Sequence, residues 1–180
     1  MIVDIERALQ TDGWMSEQEL TWLAEQAQRC VHGIIEIGCF RGRTTIALAD
    51  NSSCIVHAVD PFPAEVRGND MKEVVFTPIL ARGDFEQNLS EYFTSGKVVH
   101  HPCGFESVPL DLKADLIFID GDHHRERVLY DIQVALVHLV PGGVLAGHDY
   151  GDKEWVGVKE IVDIVFGDRV KILDTIWYVQ

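Results

Sequence analysis

Apolar residues follow two spacings that take turns along the chain. Short apolar runs stand at 34–37, 54–59, 97–101, 115–120 and 144–147, and residues at helical spacing fill the gaps between them. Leu20, Leu23, Ala24, Ala27 and Val31 form one such stripe, behind a Ser16-Glu-Gln-Glu19 pattern that reads as a capping box. Residues 84–93 read as a helix with Phe85, Leu89 and Phe93 on one face. Val128, Ile132, Ala135, Leu136 and Leu139 form another stripe, which Pro141-Gly142-Gly143 ends. Val158, Ile161, Val162 and Val165 form a third. Residues 170–173 and 176–179 read as two antiparallel strands with Asp174 near their turn. Residues 1–15 carry no strong signal, and 61–82 read as loop with one short helix.

Strands alternating with helices predict an α/β fold. The expected form is a doubly wound, Rossmann-like, mostly parallel sheet of about seven strands, antiparallel at its C-terminal end and covered by helices on both faces. One domain over 1–180 is expected, with 1–30 as an N-terminal helical cap. Ligands of such sheets lie beyond the C-terminal strand ends. Glu36, Asp60, Asp120 and His148-Asp149 all fall at predicted strand ends.

The stretch Ile34 to Ala49 organises the rest. An apolar run containing Glu36 is followed by Gly38 and Gly42 and then by Thr44 and Thr45, a pattern of buried strand, glycine turn and helix start. Glycine lets a ligand come close to the backbone, and free N–H groups at a helix start face it. The G-x-G-x-x-G dinucleotide pattern is absent, and Arg43 stands where a P-loop has lysine. Asp60, at the end of the second strand, suits a ribose hydroxyl pair, because a carboxylate accepts and does not donate. Asp-Pro is also an ordinary turn signal.

Charge narrows the partners. The 180 residues carry a net charge of −14, which argues against nucleic acid or an anionic membrane surface. A neutral or cationic small molecule is compatible, and nothing argues against a homo-oligomer. Cys30, Cys39, Cys54 and Cys103 form no C-x-x-C pair and read as reduced thiols of a cytoplasmic protein. No apolar run approaches the ~18 residues of a membrane span. Trp14 and Trp22 lie off the helix stripe and read as packing or lid aromatics.

Asp120-Gly121-Asp122-His123-His124 and His148-Asp149-Tyr150 form a second constellation. Acids and histidines from adjacent strand ends can bind a divalent ion or move protons. Asp-Gly-Asp also reads as a plain turn.

Glu36-x-Gly38-x-x-x-Gly42 resembles the first motif of class I S-adenosylmethionine-dependent methyltransferases. The run 114–124, then Asp131, then 139–150, resembles a subfamily that includes macrocin-type sugar O-methyltransferases and cephalosporin-hydroxylase-like proteins. The resemblance implies methyl transfer from S-adenosylmethionine to a small-molecule acceptor. It places Glu36, Gly38, Gly42, Thr44, Asp60, Gly104, Phe105 and Asp120 around the cofactor. It implies Asp122 as general base. It also implies a magnesium or other divalent site at Asp120 and His148-Asp149, where His148 departs from the all-oxygen set magnesium prefers. That departure leaves an altered metal site, His148 as base, or no metal. A metal-dependent hydrolase or oxygenase using Asp122, His123, His148 and Asp149 is the competing reading, and a silent cofactor-binding domain is a third.

Overall fold

The computed structural model describes residues 2–62 and 78–180. Most of the 61–82 segment therefore lies outside the described residues. The chain runs through α1 (Glu6–Gln10), α2 (Glu17–Ala27), β1 (Ile34–Ile37), α3 (Arg43–Asn51) and β2 (Val56–Val59). It continues through α4 (Pro78–Asn88), α5 (Ser90–Ser95), β3 (Val98–His101) and β4 (Ala114–Ile119). It closes with α6 (Arg125–His138), β5 (Leu139–Gly147), α7 (Val156–Phe166), β6 (Lys171–Leu173) and β7 (Ile176–Val179).

The seven strands form one sheet in the order β3-β2-β1-β4-β5-β7-β6. The first five are parallel, β7 runs antiparallel to β5, and β6 antiparallel to β7. The order reverses between β1 and β4, so the crevice for a ligand opens above those two strands.

Each central strand is apolar on both faces because helices cover both. Ile34, Leu116 and Phe118 pack with Leu20, Leu23, Leu48, Phe85 and Leu89 in one layer. Ile35, Ile37, Ile117 and Ile119 pack with Val128, Ile132, Val158 and Val162 in the other. The two-residue period of a strand sends neighbours to opposite faces, so Glu36 points with Ile34 into the α2–α3 layer. Ser16 caps α2 in both directions: Glu19 N donates to Ser16 Oγ at 3.3 Å, and Ser16 N donates to Glu19 Oε2 at 2.8 Å.

Four sequence expectations shift. The leader contains a short helix, α1, whose Ala8 is buried. The helix expected from 84 to 93 is two helices that meet at Leu89. β5 begins directly after α6 and runs through Pro141 to Gly143, with an irregular register near Ala114; proline is tolerated where its missing N–H breaks no ladder bond. Val31 and Leu136, assigned to buried stripes, are exposed. Trp22 is core, its ring 4.7 Å from Tyr178. No helix among the described residues is long and apolar enough to cross a membrane.

Candidate active site

A cavity of about 1170 Å³ opens at the C-terminal ends of the parallel strands. A single drug-sized ligand occupies roughly 300–1,000 Å³, so this one has room for a cofactor and a second molecule. The loops after β1, β2 and β3 wall one side. The loops after β4, β5 and β6 wall the other, closed by residues 13–19. Among the described residues, four non-glycines have a positive φ: Phe40, Phe62, Asp149 and Asp174. All four line the cavity. Backbone of this kind costs energy and persists where tertiary contacts hold it, typically at functional sites.

The glycine loop is built against its neighbours. Gly38 has φ +83°, and a Cβ there would stand 2.1 Å from the carbonyl oxygen of Asp120. Its lack of a side chain therefore lets the loops after β1 and β4 touch. Gly42 caps α3 at φ +89°, and a Cβ there would press on Leu89 and Phe85. Asp60 ties the loops after β1 and β2 together: Cys39 N donates to its Oδ2 at 2.9 Å and Phe62 N to its Oδ1 at 2.8 Å. Each oxygen keeps a further lone pair for a ligand hydroxyl.

The other expected cofactor residues divide. Gly38, Thr44, Asp60, Gly104, Phe105 and Asp120 line the cavity, while Glu36 and Gly42 do not. Glu36 is fully buried beneath the loop, where Thr45 Oγ1 donates to its Oε2 at 2.5 Å and its Oε1 has no partner. Burial, opposed by Thr45 and assisted by the charges of Asp120 and Asp60, pushes its pKa up to about 8. Phe105 contributes little open surface, because its ring is fully buried and stacks on His138 at 5.3 Å.

Asp120, His123 and Asp149 converge, each offering an atom within 4.8 Å of the others. His123 Nε2 lies 2.7 Å from Asp149 Oδ2 and 3.8 Å from Asp120 Oδ1. It is buried and has no aligned hydrogen bond, so the contact is an ion pair that leaves the nitrogen's directional valence unused. Trp155 stacks on the ring at 4.6 Å.

His148 stands behind this cluster. Its Nε2 meets Thr175 Oγ1 at 2.9 Å and Glu19 Oε1 at 3.2 Å, and its Nδ1 faces Asp149 Oδ2 at 3.3 Å. Both nitrogens are occupied. His123 thus joins His148 beside the two acids, for His148 Nδ1 also lies 3.7 Å from Asp120 Oδ1. Burial works to lower both histidine pKa values, but the carboxylates of Asp149 and Asp120, and of Glu19 beside His148, outweigh it. His123 is held at about 9 and His148 at about 10. A ring protonated in that range is poorly placed to take a proton at neutral pH. Asp122 lies on the rim with its carboxylate engaged by the N and Nδ1 of His124. Burial raises Asp120 despite its histidine neighbours, whereas the two histidines hold Asp149 well below the usual range against the effect of its burial.

Sequence reasoning missed Glu19 and Thr175. The capping box concealed Glu19, whose second carboxylate oxygen reaches 156 residues along the chain to Thr175 N and Oγ1. His123 was named from the sequence as a ligand in the competing hydrolase or oxygenase reading.

Set beside known proteins, the chain belongs to a methyltransferase family: the family model described as "Methyltransferase domain" matches residues 35–150. The fold and the cavity at its topological switch point agree, and the family's methyl donor is S-adenosylmethionine. No curated protein sequence matches the chain. Among solved structures, the O-methyltransferase from Bacillus cereus in complex with S-adenosylhomocysteine has a TM-score of 0.65 at 19% identity, over 97% of this chain and 89% of that one. CalS11, a TDP-rhamnose 3'-O-methyltransferase of calicheamicin biosynthesis, has a TM-score of 0.61 at 15% identity, over 89% and 76%. The N-methyltransferase NodS from Bradyrhizobium japonicum has a TM-score of 0.59 at 16% identity, over 88% and 90%. At these identities the likeness is one of fold.

Proposed function

We propose that this methyltransferase transfers the methyl group to an oxygen of a small molecule, with Asp120 as the proton acceptor. The observation that carries this reading is the carboxylate of Asp120. It lines the cavity at the end of β4, its side chain is 25% exposed, and burial raises its pKa toward the range useful for a base. S-adenosylmethionine supplies an electrophilic methyl on a sulfonium, so the protein mainly has to position and deprotonate the acceptor. The residues present fit that cofactor. Asp60 offers free lone pairs at the cavity, and Glu36 Oε1 is a buried polar atom without a partner beneath the glycine loop. In the step itself, the acceptor hydroxyl passes its proton to Asp120 while His123 and Asp149 hold the local charge in place.

The unaligned Nε2 of His123 favours a second version of the same reading. Asp120, His123 and Asp149 would hold a divalent ion that lowers the acceptor's pKa. Two oxygens and one nitrogen suit manganese, iron or zinc better than magnesium. Chelator treatment followed by manganese separates the versions: lost and restored turnover supports the ion, and unchanged turnover leaves Asp120 alone.

Calorimetry with S-adenosylhomocysteine tests the cofactor site. Asp60→Ala should weaken binding by roughly 1–3 kcal/mol, the cost of hydroxyls left unmatched. Unchanged affinity in a folded variant would remove Asp60 from the site.

A further inference from the structure

The cavity side beyond the cofactor loops has its own chemistry. Asp122, Asp149, Asp152, Glu154 and Asp174 line it, and no lysine lines the cavity anywhere among the described residues. The two arginines of the wall are already committed. Arg43 donates to the carbonyls of Leu9, Thr11 and Met15. Arg127 is held between Asp131 and Glu106. The positive charges of His123 and His148 are answered by Asp120, Asp149 and Glu19. Carboxylates therefore remain in excess. Residues 63–77, outside the described residues, carry two basic and three acidic side chains.

Two tryptophans line the cavity. Trp14 is 73% exposed, its ring 4.5 Å from Phe40 of the glycine loop. Trp155 is half-buried over His123. The remaining two, Trp22 and Trp177, are buried in the core. A large exposed aromatic held over a cavity is a platform for a ring or a cation rather than a packing element.

We infer that the methyl acceptor is a hydroxylated ring bearing no phosphate or carboxylate, either uncharged or amine-bearing, which packs on Trp14 and Trp155. This rests on the methyltransferase reading and deepens it. Carboxylates accept hydrogen bonds from hydroxyl or ammonium groups and offer no donor. An anionic carrier would need free arginine, lysine or backbone donors, and a phosphate placed here would meet like charge, a common means of rejecting wrong partners.

Tryptophan fluorescence of the full-length protein tests this with S-adenosylhomocysteine bound. Caesium and iodide are added at constant ionic strength, and quenching is normalised to N-acetyltryptophanamide. The caesium-to-iodide ratio should exceed that of the free indole by roughly threefold, as a surface potential concentrates one ion and repels the other. Trp14→Phe and Trp155→Phe should each remove part of the response. Asp152→Asn with Glu154→Gln should lower the ratio. Dopamine and 3,4-dihydroxyphenylacetate, which share a ring and differ in charge, are then titrated. Saturation by the amine at a concentration at least about tenfold lower is expected from the same potential. A quenching ratio at or below the free indole's, or an equal or stronger response to the acid, overturns the inference. Failure of S-adenosylhomocysteine to bind in calorimetry would instead overturn the methyltransferase reading, whatever the quenchers show.

Discussion

Gly38→Ala is expected to cost the fold roughly 3 kcal/mol or more. Two penalties add. An L side chain at φ +83° costs about 1–2 kcal/mol. Its Cβ would also stand 2.1 Å from the carbonyl of Asp120 and 2.8 Å from Gly121 Cα, both backbone atoms that cannot rotate away. Overpacking of that kind typically costs about 1–3 kcal/mol. Gly96→Ala is the control, because Gly96 has a similar φ of +73° and nothing within 4 Å of the added carbon. It should lose only the conformational part. Urea unfolding of both variants reads the difference. A Gly38→Ala protein as stable as Gly96→Ala would mean that the loops after β1 and β4 do not touch as described.

Glu19→Ala should be nearly as damaging. Glu19 and His148 are both buried, and removing the carboxylate leaves the imidazolium Nε2 facing Thr175 and a void, its charge answered only at Nδ1 by Asp149 and Asp120. Breaking a buried pair costs about 3–5 kcal/mol. The pH dependence has a definite sign. Burial works to raise Glu19, but His148, Thr175 and Ser16 pull it down to about 2. Its contribution is therefore present above about 4.5 and lost as pH falls through about 2. His148 is raised to about 10, so its contribution is complete below about 6.5 and lost as pH rises through 10. The pair stabilises most between those limits, at about 4.5–6.5. Glu19→Ala should flatten the alkaline side of the stability profile. Glu19→Ala with His148→Leu should recover part of the loss, since no buried charge is then stranded. Equal losses in the single and double variants would show that Glu19 acts through packing alone.

What could be read from the sequence was local in origin. Strand ends follow from where apolar runs stop, so the acids of β1, β2, β4 and β5 could be placed before any coordinates. What those acids touch could not. Glu36 stands at a strand end like the others. Its strand phase turns it inward, and only the position of Thr45 on the facing helix decides that it is buried. Asp60 reads as a ligand group or as a turn, and the structure has it gripping Cys39 N and Phe62 N while still facing the cavity. His148 and His123 lie in equally polar contexts along the chain. Both reach the two acids, and His148 is in addition held by Glu19 and Thr175, residues at opposite ends of the sequence that no periodicity connects.

That long reach has a consequence for how the protein folds. Ser16 Oγ donates to Asp174 Oδ2 at 3.1 Å, and Glu19 binds Thr175 in the turn between β6 and β7. Helix α2 thus closes the cavity on a turn some 156 residues further along the chain. Contacts of such sequence separation form late, because the intervening chain must be ordered first. Helix α2 and its capping box are local and can form early, yet they wait for the β6–β7 turn before their partner is in place. Until β7 joins the sheet, His148 has neither Thr175 nor a fixed Glu19. A folding chain can therefore possess the glycine loop and Asp60 while the wall that carries His148 and Asp149 is still open.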